Sequence, residues 1–306
     1  MRFSETVVYT KEREWEQYLV PATIDDALKL LKRFKGDARV IAGGTDLVVQ
    51  ARQGGLQAKV LVDISHLRGF SDIKLHKGMI RIGAGATHSR IAESALVVER
   101  AQALAEGASR VGSPQIRNVG TIGGNIVNGQ PGADTAIPLL ALDAAVKVVG
   151  TRGERIIPLK EFFVGVGQTK VDSTKEIVTE ISFPALKNGE ASCALRLAKR
   201  KTLVLPVLTA AVMASVKSGK GRTFKDVRIA VGPVAITPLR CKQAEEVLIG
   251  NPVTDALITR AAEVAATEAN PRSSLMRGSS TYRKAMVSVL VERGIRSALE
   301  RIGGER

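Results

Sequence analysis

Only two cysteines, Cys193 and Cys241, occur in the 306-residue chain, and they lie far apart. An iron–sulfur cluster takes about four thiolates, so this chain cannot hold one by itself. The two thiols are read as reduced and partly buried. His66, His76 and His88 are the whole histidine complement. They have no H-x-x-x-H spacing and no acidic partner at metal-site spacing, so no metal centre is expected. Aromatic residues reach only 4%, too few for platforms on which bases stack. No apolar run approaches the roughly 18 residues of a membrane span. Met1 to Glu5 are followed too soon by Lys11-Glu12-Arg13-Glu14 to leave room for the apolar core of a secretion signal. The expected location is the cytoplasm.

Positive charge, by contrast, is plentiful: the formal net charge is +15. Nucleic acid is the first partner such an excess suggests. The basic residues are scattered from Lys29 to Arg306, usually with acids nearby, and this argues against it. An anionic ligand and an acidic partner subunit are the preferred reading. Hydrophobic residues at 44% and charged residues at 25% are ordinary for a globular chain. The length suits roughly two domains of about 150 residues.

Local patterns predict an α+β fold. Thr23 can cap a helix whose apolar face is Ile24, Ala27, Leu28, Leu31 and Phe34, with Gly36 as its stop. Short strands are expected at 38–42, 59–64, 79–83 and 145–150, and helical turns at 47–53. Helices are expected at 88–93, 97–111 and 134–141. After Phe183-Pro184 the segments lengthen. Strands are read at 192–199, 207–216 and 227–231, with a turn at 217–221. Helices close the chain at 240–248, 253–269 and 280–301. Strands followed by helices suggest a sheet covered on one face. The division is placed at 1–184, split near 58, and 185–306.

Two glycine-rich segments carry the functional reading. The strand 38–42 runs into Ala42-Gly43-Gly44-Thr45-Asp46-Leu47. Glycine reaches positive φ and admits an anion to the main chain, successive N–H groups make an anion nest, and a helix start adds its positive end. A plain strand-to-helix turn would look the same. The second segment, Gly120-Thr121-Ile122-Gly123-Gly124-Asn125, repeats the combination of glycine, hydroxyl and amide, and its plain alternative is a bulge or turn. Two nests in one domain can hold a diphosphate. Neither segment has Rossmann or P-loop spacing. Between Gly112 and Asp134 lies a polar run: Ser113, Gln115, Arg117, Asn118, Asn128, Gln130 and Asp134. A ligand rich in hydroxyls would use it. Asp134 alternatively caps the following helix, Arg117 is equally a phosphate partner or a solvated side chain, and His88 is read as structural.

With these residues in place, the chain resembles the FAD-binding (medium) subunit of the molybdenum hydroxylases, the flavoprotein of carbon monoxide dehydrogenase and xanthine dehydrogenase. The matching text is Ile41 to Leu47, Thr121 to Ile126 and Ala133-Asp134, with Glu161-Phe162-Phe163-Val164-Gly165 and the Glu176 to Ile181 strand behind them. The resemblance implies an FAD domain of the vanillyl-alcohol oxidase and p-cresol methylhydroxylase type, built from two α/β subdomains, with a C-terminal α+β domain. It implies that residues 42–47 and 121–125 hold the diphosphate and that Val111, Asp134 and Val178 or its neighbour contact FAD. Arg196 stands where relatives often carry a basic residue at the flavin end. It further implies a large molybdenum-cofactor subunit and a small [2Fe–2S] subunit as partners, in a dimer of heterotrimers. Electrons would pass from the clusters through FAD to an external acceptor. A self-sufficient flavin oxidase of the same fold is the alternative.

Overall fold

A computed structural model describes residues 15–200, 203–217 and 221–304. The segment before Lys11 and the centre of the turn expected at 217–221 lie outside the described residues.

The described residues open with a small parallel sheet. β1 (Gln17–Leu19), β2 (Ala38–Ile41) and β3 (Val60–Asp63) order as β1-β3-β2. The first crossover is α1 (Ile24–Phe34), capped as its sequence predicts: Thr23 accepts from the Asp26 N–H, and Lys35 ends the helix in the left-handed region. The second is α2 (Leu47–Arg52). Because β3 is the central strand, the first layer extends to Asp63, and a subdomain limit at residue 58 would strip this sheet of its middle strand.

An antiparallel layer follows. β4 (Ile73–His76), β5 (Met79–Gly83), β6 (Ala145–Gly150), β7 (Gly153–Pro158) and β10 (Glu176–Pro184) order as β4-β5-β10-β6-β7. β8 (Phe163–Gly165) and β9 (Gln168–Thr169) form a separate ribbon after the short α9 (Leu159–Phe162). Between β5 and β6 run α3 (His88–Ala92), α4 (Ala95–Arg100), α5 (Gln102–Ser109), α6 (Pro114–Val119), α7 (Ile122–Val127) and α8 (Ala136–Ala141). The single helix expected at 97–111 is therefore two, broken at Ala101, whose φ of −160° and ψ of 47° leave the helical region.

The last layer holds β11 (Glu190–Leu197), β12 (Leu208–Lys217), β13 (Thr223–Gly232) and β14 (Leu239–Arg240), antiparallel and in sequence order. Helices α10 (Lys242–Leu248), α11 (Asp255–Glu268) and α12 (Ser280–Gly303) pack on one face. The expectation of a sheet covered on one face is corrected. Cys193, Val212, Ile229 and Val231 face the helices, while the alternating Ala194, Ala211, Met213 and Ala230 join the core of the first part. Strand side chains alternate between faces, and alanines on the second face let helices α5 and α8 approach closely. Consequently the two parts share one buried seam, and a cleft lined by residues of both opens along it.

Candidate cofactor cleft

The cleft has a volume of ≈ 1020 Å³, at the upper end of ordinary small-molecule and cofactor sites. Its floor is the β2–α2 loop. Gly44 takes φ +67°, and a Cβ on Gly43 would sit 2.1 Å from the Val119 carbonyl oxygen, so glycine is required at both positions, for different reasons. The N–H groups of Gly43, Gly44, Thr45, Asp46 and Leu47 donate to no protein acceptor among the described residues. Five orphaned donors along the wall of a cleft match an anionic ligand. The helix behind them has only six residues, so the loop amides, more than the helix, supply the attraction.

The second glycine segment is not a nest. Thr121 caps α7 by accepting from the Gly124 N–H at 3.2 Å. The N–H groups of Ile122, Gly123 and Asn125 bond to Ala86, Ala84 and Thr121. Gly123 is glycine for packing: a Cβ there would meet the Ala84 Cβ at 2.7 Å. It lies behind the cleft wall, whereas Gly124 faces the cleft, and a Cβ there would have only Thr121 Oγ1 near, at 3.0 Å. Asn125 also lines the cleft. Its Oδ1 accepts from the Thr135 hydroxyl at 2.6 Å, which turns its amide donors away from Thr135. The two segments touch through Gly43 against Val119 and through Gly120 beside Thr45.

Of the sequence-predicted residues, Ala42, Gly43, Gly44, Thr45, Asp46, Leu47, Val111, Gly120, Thr121, Gly124, Asn125 and Asp134 line the cleft. Gly123, Val178 and Arg196 do not. Val178 is buried in the core of β10 at its register shift. Arg196 reaches the cleft through Asp134, with Nε donating to Oδ1 at 2.9 Å, and it also donates to the Val204 carbonyl. Asp134 is therefore not a helix cap; Thr135 occupies that place. Burial lifts the Asp134 carboxyl to about 6 against the pull of Arg196. Burial also raises Asp46, opposed by hydrogen bonds from Asn128 and Thr45. In the polar run, Ser113 caps α6, Asn118 accepts from Ser89, and Arg117 donates to the Val111 carbonyl. Asn128 and Gln130 line the cleft.

The far wall was not legible in the sequence. Leu203, Val204, Leu205 and Pro233 to Ile236 form its apolar part, and Arg272, Arg277 and Arg283 its basic part. Arg283 is buried and donates to the Val207, Pro233 and Arg272 carbonyls. With Arg39, the lining holds four arginines and two aspartates, Asp46 and Asp134. This balance suits an anionic ligand.

A mixed α+β chain with a basic cleft and an amide nest lacking Rossmann spacing fits the class of proteins that bind an anionic, nucleotide-like ligand without a Rossmann fold. Comparison with known proteins makes the kind specific. The family described as "FAD binding domain in molybdopterin dehydrogenase" matches residues 11–186, and the "CO dehydrogenase flavoprotein C-terminal domain" matches residues 193–298. The chain is 30% identical to the xanthine dehydrogenase FAD-binding subunit of Escherichia coli O157:H7, over 95% of this chain and 99% of that one. It is 32% identical to the carbon monoxide dehydrogenase medium chain of Hydrogenophaga pseudoflava, over 93% and 97%. The carbon monoxide dehydrogenase structure from the same organism, which lacks the Mo-pyranopterin moiety of the molybdenum cofactor, superposes with a TM-score of 0.88 at 31% identity, covering 94% and 98%. The chain belongs to the FAD-binding, medium-subunit family of the molybdenum hydroxylases. Its cofactor is FAD, and the nest, the cleft volume and the basic lining fit that group.

Proposed function

We propose that this chain is the electron-transfer subunit of a heteromeric molybdenum-containing hydroxylase. The observation that carries the reading is the row of five unbonded N–H groups from Gly43 to Leu47, set in the cleft of a chain of this family. When bound, FAD supplies the redox chemistry, taking electrons from [2Fe–2S] clusters of a small partner and releasing them to an external acceptor.

The protein binds and orients. The amides of Gly43 to Leu47 would hold the diphosphate. The Asn125 amide, aimed by Thr135, would donate to a phosphate or ribityl oxygen. Asp134, held by Arg196, would accept from hydroxyl groups. Val111 would supply apolar contact. No side chain is assigned as a general acid or base. Substrate oxidation belongs to a large molybdenum-cofactor subunit, and the assembly is taken as a dimer of heterotrimers in the cytoplasm. The chain is divided near residue 184, consistent with the limits of the two family matches. Among the described residues no helix is long and apolar enough to cross a membrane.

Isolation of the chain from its native source, with co-purifying chains and metals identified, tests this reading. A large chain with molybdenum and a small chain with iron, alongside FAD, are expected. A chain that purifies without partners and oxidises a substrate alone would overturn it in favour of a self-sufficient oxidase.

A further inference from the structure

His88 opens α3 where the two glycine segments meet. Its N–H donates to the Gly120 carbonyl at 3.1 Å. A Cβ on Gly120 would lie 3.4 Å from His88 Cδ2 and 3.5 Å from Thr45 Oγ1, so the imidazole edge, the Thr45 hydroxyl and Gly120 bound one corner of the cleft. The helix that carries His88 is fixed: Thr87 caps it, and the Ser89 hydroxyl donates to Asn118 of α6 at 2.5 Å.

The side chain is only 2% exposed, yet it belongs to the cleft wall. Its Nδ1 is fully enclosed and has no hydrogen-bond partner among the described residues. A simple core histidine would be expected to satisfy both ring nitrogens. Burial, reinforced by the nearby Arg117 cation, keeps the ring neutral, with its pKa pushed down to about 4. A neutral imidazole has one N–H and one lone pair. A buried N–H without an acceptor is rarer than an acceptor left unused, so the proton is placed on Nε2, which is not among the enclosed, unpartnered atoms.

We propose that His88 is a direct ligand of the bound dinucleotide, its neutral Nε2–H donating to the diphosphate at the junction of the Gly43–Leu47 nest with Gly120. This rests on the FAD reading above. It adds a third element, the start of α3, to a site otherwise assigned to the two glycine segments.

The test is a set of dissociation constants for FAD, ADP and riboflavin, measured on the full-length apoprotein by flavin fluorescence and by competition. His88→Leu removes both nitrogens. His88→Gln places an amide nitrogen near the Nε2 position, and His88→Asn places it near Nδ1. Expected is a loss of about tenfold or more in FAD and ADP affinity for His88→Leu, with riboflavin affinity unchanged. His88→Gln should recover most of the loss and His88→Asn little. A His88→Leu variant that binds FAD as the wild type does overturns the assignment while the flavin reading stands, as does an equal loss for ADP and riboflavin. Should His88→Leu fail to fold, equal ADP affinity in the Gln and Asn variants overturns it. A wild-type chain that takes up no FAD overturns the flavin reading and this assignment together.

Discussion

Arg196 on β11 donates to Asp134 ahead of α8 at 2.9 Å, joining segments 62 residues apart. Both side chains are nearly buried, 6% and 11% exposed. The same guanidinium holds the Val204 carbonyl, so one cation fixes a carboxylate on one wall of the cleft and a loop on the other. Removing the cation leaves the carboxylate buried without its hydrogen-bonded partner, with only the weaker pull of Arg110. Arg196→Met is expected to destabilise the chain by about 3–5 kcal/mol, measured by chemical denaturation. A loss below about 1 kcal/mol would show that the pair is incidental.

Asp134 also sets a pH dependence. Its folded pKa is about 6, raised from an ordinary 3.8 chiefly by desolvation. The folded chain therefore holds this proton more tightly than the unfolded chain. Stability from this group is fully present below about pH 4 and is lost as pH rises through about 6. The stability of the wild type relative to Asp134→Asn should fall across that window and be level above about pH 7. Parallel melting profiles for the two proteins would contradict the assignment.

The glycines separate ligand effects from folding effects. Gly124 has a helical backbone, and a Cβ there would meet only the Thr121 hydroxyl, at 3.0 Å, which must yield by a few tenths of an ångström; Gly124→Val should lose FAD while staying folded. Gly43→Ala instead drives a Cβ into the Val119 carbonyl and should cost about 1–3 kcal/mol of stability as well. Full flavin occupancy in Gly124→Val would show that the ligand does not run past α7.

Thr121 is first a helix cap. Thr121→Val removes the bond to the Gly124 N–H and should lower stability by about 1 kcal/mol, with Thr121→Ser restoring it. Thermal melts of the three proteins decide this.

The cysteines are inert by position. Cys193 and Cys241 are fully buried, and burial raises both thiols, Cys193 to about 11. Neither should react with a thiol reagent in the native chain, and both should react in denaturant. Rapid native labelling of either would contradict this packing.

The first glycine segment was legible because much of its cause is local: a strand ends, Gly44 turns the chain at positive φ, and a helix begins, although Gly43 owes its identity to the distant Val119 carbonyl. The second was misread as a nest because its cause is distant. Gly123 is glycine on account of Ala84, and no window of sequence around residue 123 contains Ala84. The basic wall was invisible for a similar reason. Arg272, Arg277 and Arg283 sit in and after a loop with no motif, and only the packing of the C-terminal sheet on α5 and α8 brings that loop to the cleft. That second packed face was itself missed, since alanines such as Ala194, Ala211 and Ala230 are as compatible with a thinly covered sheet as with a close helix contact. Asp134 and Arg196 were both singled out, but their pairing is a tertiary fact.

The central claim is that the cleft holds FAD through the Gly43–Leu47 amides. Titration of the purified apoprotein with FAD, read by flavin fluorescence and absorbance, tests it most directly. One FAD per chain, weakened strongly by Gly124→Val and displaced by ADP, is predicted. A folded wild-type chain that binds no FAD, or binds it equally well in that variant and without competition from ADP, would contradict it.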